Sequence, residues 1–151
     1  MQEKIIIIDF GSQYTQLIAR RVRELHVYCE IHPYFKLPSF DESIKGYILS
    51  GSPHSVREEN APTVDLELLY QSRPLLGICY GAQLMAQRLG GLVESSASRE
   101  YGRANLNEVD NQNRLFKGVS IGSQVWMSHA DSIREIPDTF SLLVLPRSLP
   151  P

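Results

Sequence analysis

Four consecutive isoleucines, Ile5-Ile6-Ile7-Ile8, make the first hydrophobic block of the chain. An unbroken β-branched run fits a strand buried on both faces, as in a parallel sheet. After Asp9-Phe10-Gly11-Ser12-Gln13, the positions Tyr14, Leu17, Ile18, Arg21, Val22 and Leu25 recur at helical spacing, with Arg20, Arg21 and Arg23 toward the C-terminal end. Val27 to Ile31 predicts a second strand, ended by Pro33, and Gly46 to Ser50 a third, followed by the turn Gly51-Ser52-Pro53. The polar stretch 55–60 is expected to be a mobile loop, and Pro62 to Tyr70 a helix with proline in its first turn. Pro74-Leu75-Leu76 reads as a short buried strand, and Ala82 to Leu89 as a helix closed by Gly90-Gly91.

Beyond Gly91 the pattern is weaker. Leu92-Val93-Glu94 is expected to be briefly extended, and Arg99 to Val109 alternates as a strand. Asp110-Asn111-Gln112-Asn113 is a turn signal, and Leu115-Phe116 is expected to cap the core. Gln124 to His129 predicts a strand running into a loop, and Phe140 to Leu145 a last strand. The tail 146–151 has three prolines in six residues and is expected to form neither strand nor helix.

Strand, helix and strand in this rhythm predict an α/β domain over residues 1–145: an open, largely parallel sheet flanked by helices, with 146–151 as a proline-rich tail. Ligands of such sheets bind at the carboxyl ends of the strands. The turn at Gly51-Ser52 and residue Cys79 both end strands, so they are expected to meet.

A chain of 151 residues has room for one domain with a real core. Net charge is −2, with Lys and Arg scattered, which argues against a nucleic-acid surface. No apolar run approaches the ~20 residues of a membrane-spanning helix, and no signal peptide is evident. Two cysteines far apart suit a reducing, cytoplasmic setting better than a disulfide framework. No phosphate-binding glycine loop and no metal-ligand spacing are evident.

The chemistry concentrates at Gly77-Ile78-Cys79-Tyr80-Gly81. A thiol between two glycines, after a strand and before a helix, is the nucleophile-elbow pattern with Cys in place of Ser. The helix N-terminus there favours thiolate over thiol. Cysteine in an apolar run is more often a small buried hydrophobe, the reading adopted for Cys29 in Val27-Tyr28-Cys29-Glu30-Ile31. The two glycines reverse that reading for Cys79. A thiolate attacking a carbonyl needs a base, oxyanion donors and substrate contacts. The backbone N–H of Tyr80 and one from Gly51-Ser52 are the expected donors. Gln83, one helical turn on, is either a substrate contact or a solvated amide. The base is open among His26, His32, His54 and His129, and Asp131, two past His129, is the nearest candidate to orient one of them.

Several stretches together resemble the class I (triad-type) glutamine amidotransferase domain of GMP synthases: Ile8-Asp9-Phe10-Gly11-Ser12-Gln13-Tyr14, Gly77 to Gln83, Arg99-Glu100-Tyr101-Gly102 and Val125-Trp126-Met127-Ser128-His129. The resemblance implies a flavodoxin-like sheet and hydrolysis of the glutamine side-chain amide through a γ-glutamyl thioester. It implies Cys79 as nucleophile and Gly51, Ser52 and Tyr80 as the oxyanion hole. Gln83, Ser128, His129 and Ala130 would hold glutamine. It also implies ammonia delivery to an ATP-dependent synthetase domain or subunit that aminates XMP to GMP. ATP and Mg belong to that domain alone, with no cofactor or metal in this one.

Three departures stand out. The family turn Gly-Gly-Pro is Gly51-Ser52-Pro53 here, Ala130 replaces a Gly, and no His-x-Glu pair follows the Ser-His block. The domain is therefore expected to be C-terminally truncated and to hydrolyse glutamine poorly or not at all. Two alternatives are a non-catalytic module binding a synthetase partner, and a class I domain serving a different synthase.

Overall fold

The computed structural model describes residues 2–148; Met1 and the tail residues 149–151 lie outside the described residues. Two compact units divide the chain, the first ending at Leu89 and the second beginning at Gly90.

The first unit holds strands β1 (Lys4–Asp9), β2 (Cys29–Pro33), β3 (Ile44–Leu49) and β4 (Leu75–Gly77) and helices α1 (Thr15–Glu24), α2 (Leu66–Ser72) and α3 (Tyr80–Arg88). The strands form one four-stranded sheet in the order β2-β1-β3-β4, every pair parallel. This is the open parallel arrangement that the strand-helix rhythm predicts. Ile6, Ile7 and Ile8 have no exposed surface, so the isoleucine run is buried on both faces. Ile7, Ala19 of α1 and Cys29 of β2 form a core cluster with Ile5, Ile18, Val22, Ile31 and Ile48 packed around it. Cys29 is therefore structural, as its strand pattern indicates.

Two boundaries differ from expectation for local reasons. α2 starts four residues after Pro62, because the Asp65 side chain caps it by accepting from the Leu68 N–H at 3.0 Å. α1 closes with His26 at φ 59°, its N–H donating to Arg23 O while Val27 N–H reaches Val22 O. That is a Schellman closure with His at the position usually given to Gly.

The second unit is an antiparallel sheet in the order β6-β5-β7, built from β5 (Leu92–Val109), β6 (Gln124–Glu135) and β7 (Val144–Ser148). The two expected extended pieces of β5 are one strand, with its register to β6 shifted between Ser95 and Glu100. β6 does not end in a loop at His129. It continues to Glu135, because Asp131, Ser132 and Ile133 pair with Ser95, Glu94 and Val93. The polar run that reads as a loop thus gains a ladder from a distant segment.

The last strand also moves. A turn at 137–140, closed by Phe140 N–H to Pro137 O, occupies its expected start. β7 instead carries Pro146, Arg147 and Ser148 of the proline-rich tail, paired to Leu106, Asn105 and Ala104. β7 lies at the sheet edge, where a missing N–H breaks no inner ladder. Asp110 Oδ1 accepts from Gln112 N–H, confirming the turn signal, but Leu115 is 71% exposed and does not cap a core.

Candidate active site

β4 is only three residues long and ends at Gly77. Ile78 then donates its N–H to Leu49 O at 3.0 Å, and Cys79 turns the chain into α3. Cys79 has φ 53° and ψ −113°, a backbone state in which a side chain is strained. The surroundings hold it there. Gly81 N–H donates to Ser50 O at 3.1 Å and to Ile78 O at 3.0 Å, and Gln83 N–H donates to Cys79 O at 3.0 Å. The result is an exposed thiol at the N-terminus of a helix, at the carboxyl end of the edge strand β4. This is the geometry of a nucleophile elbow.

Both flanking glycines are required by close approach. A Cβ at Gly81 would lie 2.5 Å from Leu49 Cβ and 2.7 Å from Leu49 O. At Gly77 it would lie 2.7 Å from the Ala82 nitrogen. α3 crosses the ends of β3 and β4 at backbone contact, and that proximity seats the thiol beside the turn after β3.

The turn does meet Cys79, as the sheet-edge argument predicts. The Cβ position of Gly51 is 3.7 Å from Cys79 Cβ and 3.4 Å from Ser12 Oγ. Ser50, fully buried, accepts from Phe10 N–H at 3.0 Å and donates to Gly51 O at 2.8 Å. A Cβ on Gly11, which is at φ 91°, would lie 3.6 Å from Pro53 Cδ. The loops after β1, β3 and β4 thus interlock at one edge. Ser52 is not at positive φ, so its replacement of the family glycine costs no backbone strain. Tyr80 opens α3, where a helix leaves N–H groups without intrahelical acceptors.

The side chain of Tyr80 has a second role that spacing alone does not reveal. It is 1% exposed, its ring lies 5.3 Å from that of Phe10, and its hydroxyl donates to Pro62 O. Burial, with a smaller contribution from the Glu58 charge, pushes this phenol up to about 12. Only its aromatic bulk beside Cys79 is a signal in the sequence.

Gln83 lies half-buried in the first turn of α3. Ser128, His129 and Ala130 lie in β6 of the second unit. Ser128 and Ala130 share its exposed face with Trp126, while His129 shares the opposite face with the buried Asp131. Ser128 pairs with Tyr101 and His129 with Glu100, and the register irregularity of β5 falls opposite Ala130. Cys79, Tyr80, Gly51, Ser52 and Gln83 are grouped in the first unit, and residues 128–130 in one strand of the second.

The sequence offers Asp131, two past His129, as the candidate orienter, and the fold makes two further His–carboxylate pairs. His54 Nδ1 lies 2.8 Å from Glu58 Oε2, and His32 Nε2 lies 3.0 Å from Glu30 Oε2. A turn brings residues four apart together in the first case. Alternation along β2 places residues two apart on one face in the second. Bonds from Ser55 N–H, and then from His54, hold the Glu58 carboxyl below its usual range. Among the described residues, no cluster of three or more His, Cys, Asp or Glu could hold a metal ion. No helix among them is long and apolar enough to cross a membrane.

Comparison with known proteins follows the same lines. A GMP synthase [glutamine-hydrolyzing] from Cytophaga hutchinsonii is 65% identical over 95% of this chain, and one from Bacteroides fragilis is 61% identical over 95%. The chain spans 28% of the length of each. A solved structure of a candidate GMP synthase component from Thermoplasma acidophilum superposes with a TM-score of 0.78 at 30% identity, covering 95% of this chain and 73% of that one. A glutamine amidotransferase from Thermotoga maritima shares the fold, with a TM-score of 0.73 at 22% identity, over 95% of this chain and 67% of that one. Residues 6–146 match the family described as glutamine amidotransferase class-I, and the chain belongs to that family.

Proposed function

We propose that this chain is the glutamine-hydrolysing part of a GMP synthase. The observation that carries the reading is the strained, exposed Cys79 braced against the Gly51 turn. In this mechanism the Cys79 thiolate attacks the side-chain amide carbon of glutamine. The carbonyl oxygen becomes an oxyanion, facing the N–H groups of Tyr80 and the Gly51-Ser52 turn. Collapse of the tetrahedral adduct, with a proton supplied to nitrogen, expels ammonia and leaves a γ-glutamyl thioester on Cys79. Water then hydrolyses the thioester to glutamate and restores the thiol.

In this reading Gln83 contacts the glutamine, and the family resemblance adds the backbone of Ser128, His129 and Ala130 as a further contact. The ammonia passes to a synthetase domain or subunit that uses ATP and Mg to aminate XMP, in the cytoplasm. The GMP synthase relatives support that assignment.

The 151 residues contain no His followed two positions later by Glu. The chain by itself is therefore expected to turn glutamine over slowly or not at all.

The test has two readouts. A chloromethyl ketone analogue of glutamine should label Cys79, with glutamine protecting and asparagine not. Ammonia release from glutamine should be low and close to that of Cys79→Ala. Labelling that glutamine does not slow would overturn the glutaminase reading. Robust release by the parent and none by the variant would show that a base lies within these residues, with His54 and His129 the first to replace.

A further inference from the structure

The segment between Gly51 and Pro62 is fastened to the elbow at both ends. At its start, Ser50 O accepts from Gly81 N–H at 3.1 Å and Gly51 packs beside Cys79. At its end, Pro62 O accepts from the Tyr80 hydroxyl. Between these points no helix or strand supports the chain.

The Glu58 side chain closes the segment internally through two contacts. Glu58 Oε1 accepts from Ser55 N–H at 2.9 Å, and Glu58 Oε2 meets His54 Nδ1 at 2.8 Å. Backbone bonds from Glu58 N–H to Ser55 O and from Ala61 N–H to Glu58 O, each 3.1 Å, fold the chain back on itself. Ser52 Oγ accepts from His54 N–H at 3.2 Å, which ties the brace to the turn that carries the expected oxyanion donors. The chain of contacts runs from the Glu58 carboxylate through His54 and Ser55 to Ser52 and Gly51.

We propose that Glu58 is a positioning residue for the oxyanion turn, holding the Gly51-Ser52 N–H groups toward the carbonyl oxygen of a substrate at Cys79. The inference rests on the glutaminase reading above. An oxyanion donor is effective only when it is aimed before charge develops, so a slack turn costs rate without touching the thiol. Glu58 touches neither substrate nor sulfur in this role. The His54 contact is half exposed on both sides, so the Ser55 N–H bond is the more important of the two.

The experiment compares two reagents on the full chain. Iodoacetamide alkylates Cys79 with no oxyanion to stabilise. With the glutamine chloromethyl ketone, sulfur displaces chloride to leave a thioether while the ketone oxygen occupies the oxyanion hole. Glu58→Ala should slow the ketone about tenfold and leave iodoacetamide within about twofold. Glu58→Gln, which keeps an acceptor for Ser55 N–H, should recover most of the lost rate. His54→Ala should have the smaller effect.

Equal slowing of both reagents would mean that Glu58 supports the elbow as a whole, and would overturn the inference. Unchanged rates with both reagents would overturn it as well. A parent chain that reacts with iodoacetamide but shows no glutamine-protected ketone labelling would overturn the glutaminase reading and this inference together. Normal ketone labelling of Glu58→Ala would overturn the inference alone.

Discussion

The two units use glycine for opposite reasons. At Gly77 and Gly81, beside the parallel sheet, a Cβ would strike backbone atoms of Ala82 and Leu49. At Gly102, in the antiparallel sheet, a Cβ meets nothing within 4 Å, and the requirement is a φ of 135°. The first unit is organised by close approach between α3 and the strand ends. The second is organised by strand register and by bends along β5. An elbow depends on contact between segments, so it is intolerant of volume. A long hairpin-like ladder depends on conformation, so it is intolerant of the wrong dihedral but has room for side chains.

The sharpest break of this comparison is Gly81→Ala set against Gly102→Ala. The first should destabilise by about 3 kcal/mol, because backbone and Leu49 must move apart. The second should cost only about 1 to 2 kcal/mol, from adopting a positive φ. Urea midpoints of the two variants measure the difference. Equal losses would mean that close approach does not distinguish the first unit.

Tyr80→Phe tests whether the elbow is also anchored through its side chain. The ring and its packing on Phe10 remain, but the buried Pro62 carbonyl loses its donor. A loss of about 1.5 kcal/mol is expected. The pH dependence gives the sign check. The phenol stands at about 12 in the folded chain against about 10 in the unfolded one. Its contribution is therefore full below about pH 10 and is lost as pH rises toward 12. The stability gap between parent and variant should be flat to about pH 10 and should then close. A gap that persists unchanged to pH 12 would contradict the buried, hydrogen-bonded phenol.

The smallest expected effect is a gain. Cys79→Gly removes the side chain from a strained backbone position and should raise stability by about 1 kcal/mol while abolishing thiol labelling. A loss of stability instead would show that the elbow is not held under strain, and would weaken the contrast with the second unit.

Legibility in the sequence follows the same division. The isoleucine strand, the elbow, the role of Cys29 and the meeting of Cys79 with the Gly51 turn are readable, because each is set by local pattern plus the rule that parallel sheets bind at their carboxyl edge. The extension of β6 through Asp131 to Glu135 is not readable. Its polar residues become strand only by pairing with Leu92 to Ser95. Pro146 in β7 is hidden for a related reason, since an edge position excuses the missing N–H. Glu58 beside His54 is hidden because loop geometry, not spacing, turns the carboxylate back.

By itself, then, the sequence determined the class of sheet, the glycine-flanked cysteine elbow and the family resemblance. Strand and helix periodicity and the glycine-flanked thiol are properties of short segments, in which a few residues fix the backbone. The tertiary structure decided how the elbow is held: the approach of α3 to Leu49, the anchoring of Tyr80 on Pro62 and the Glu58 brace on the turn after β3. The first two depend on distances between segments far apart in the chain, which exist only once burial of the core has brought the segments together, and the third on how one loop folds back on itself.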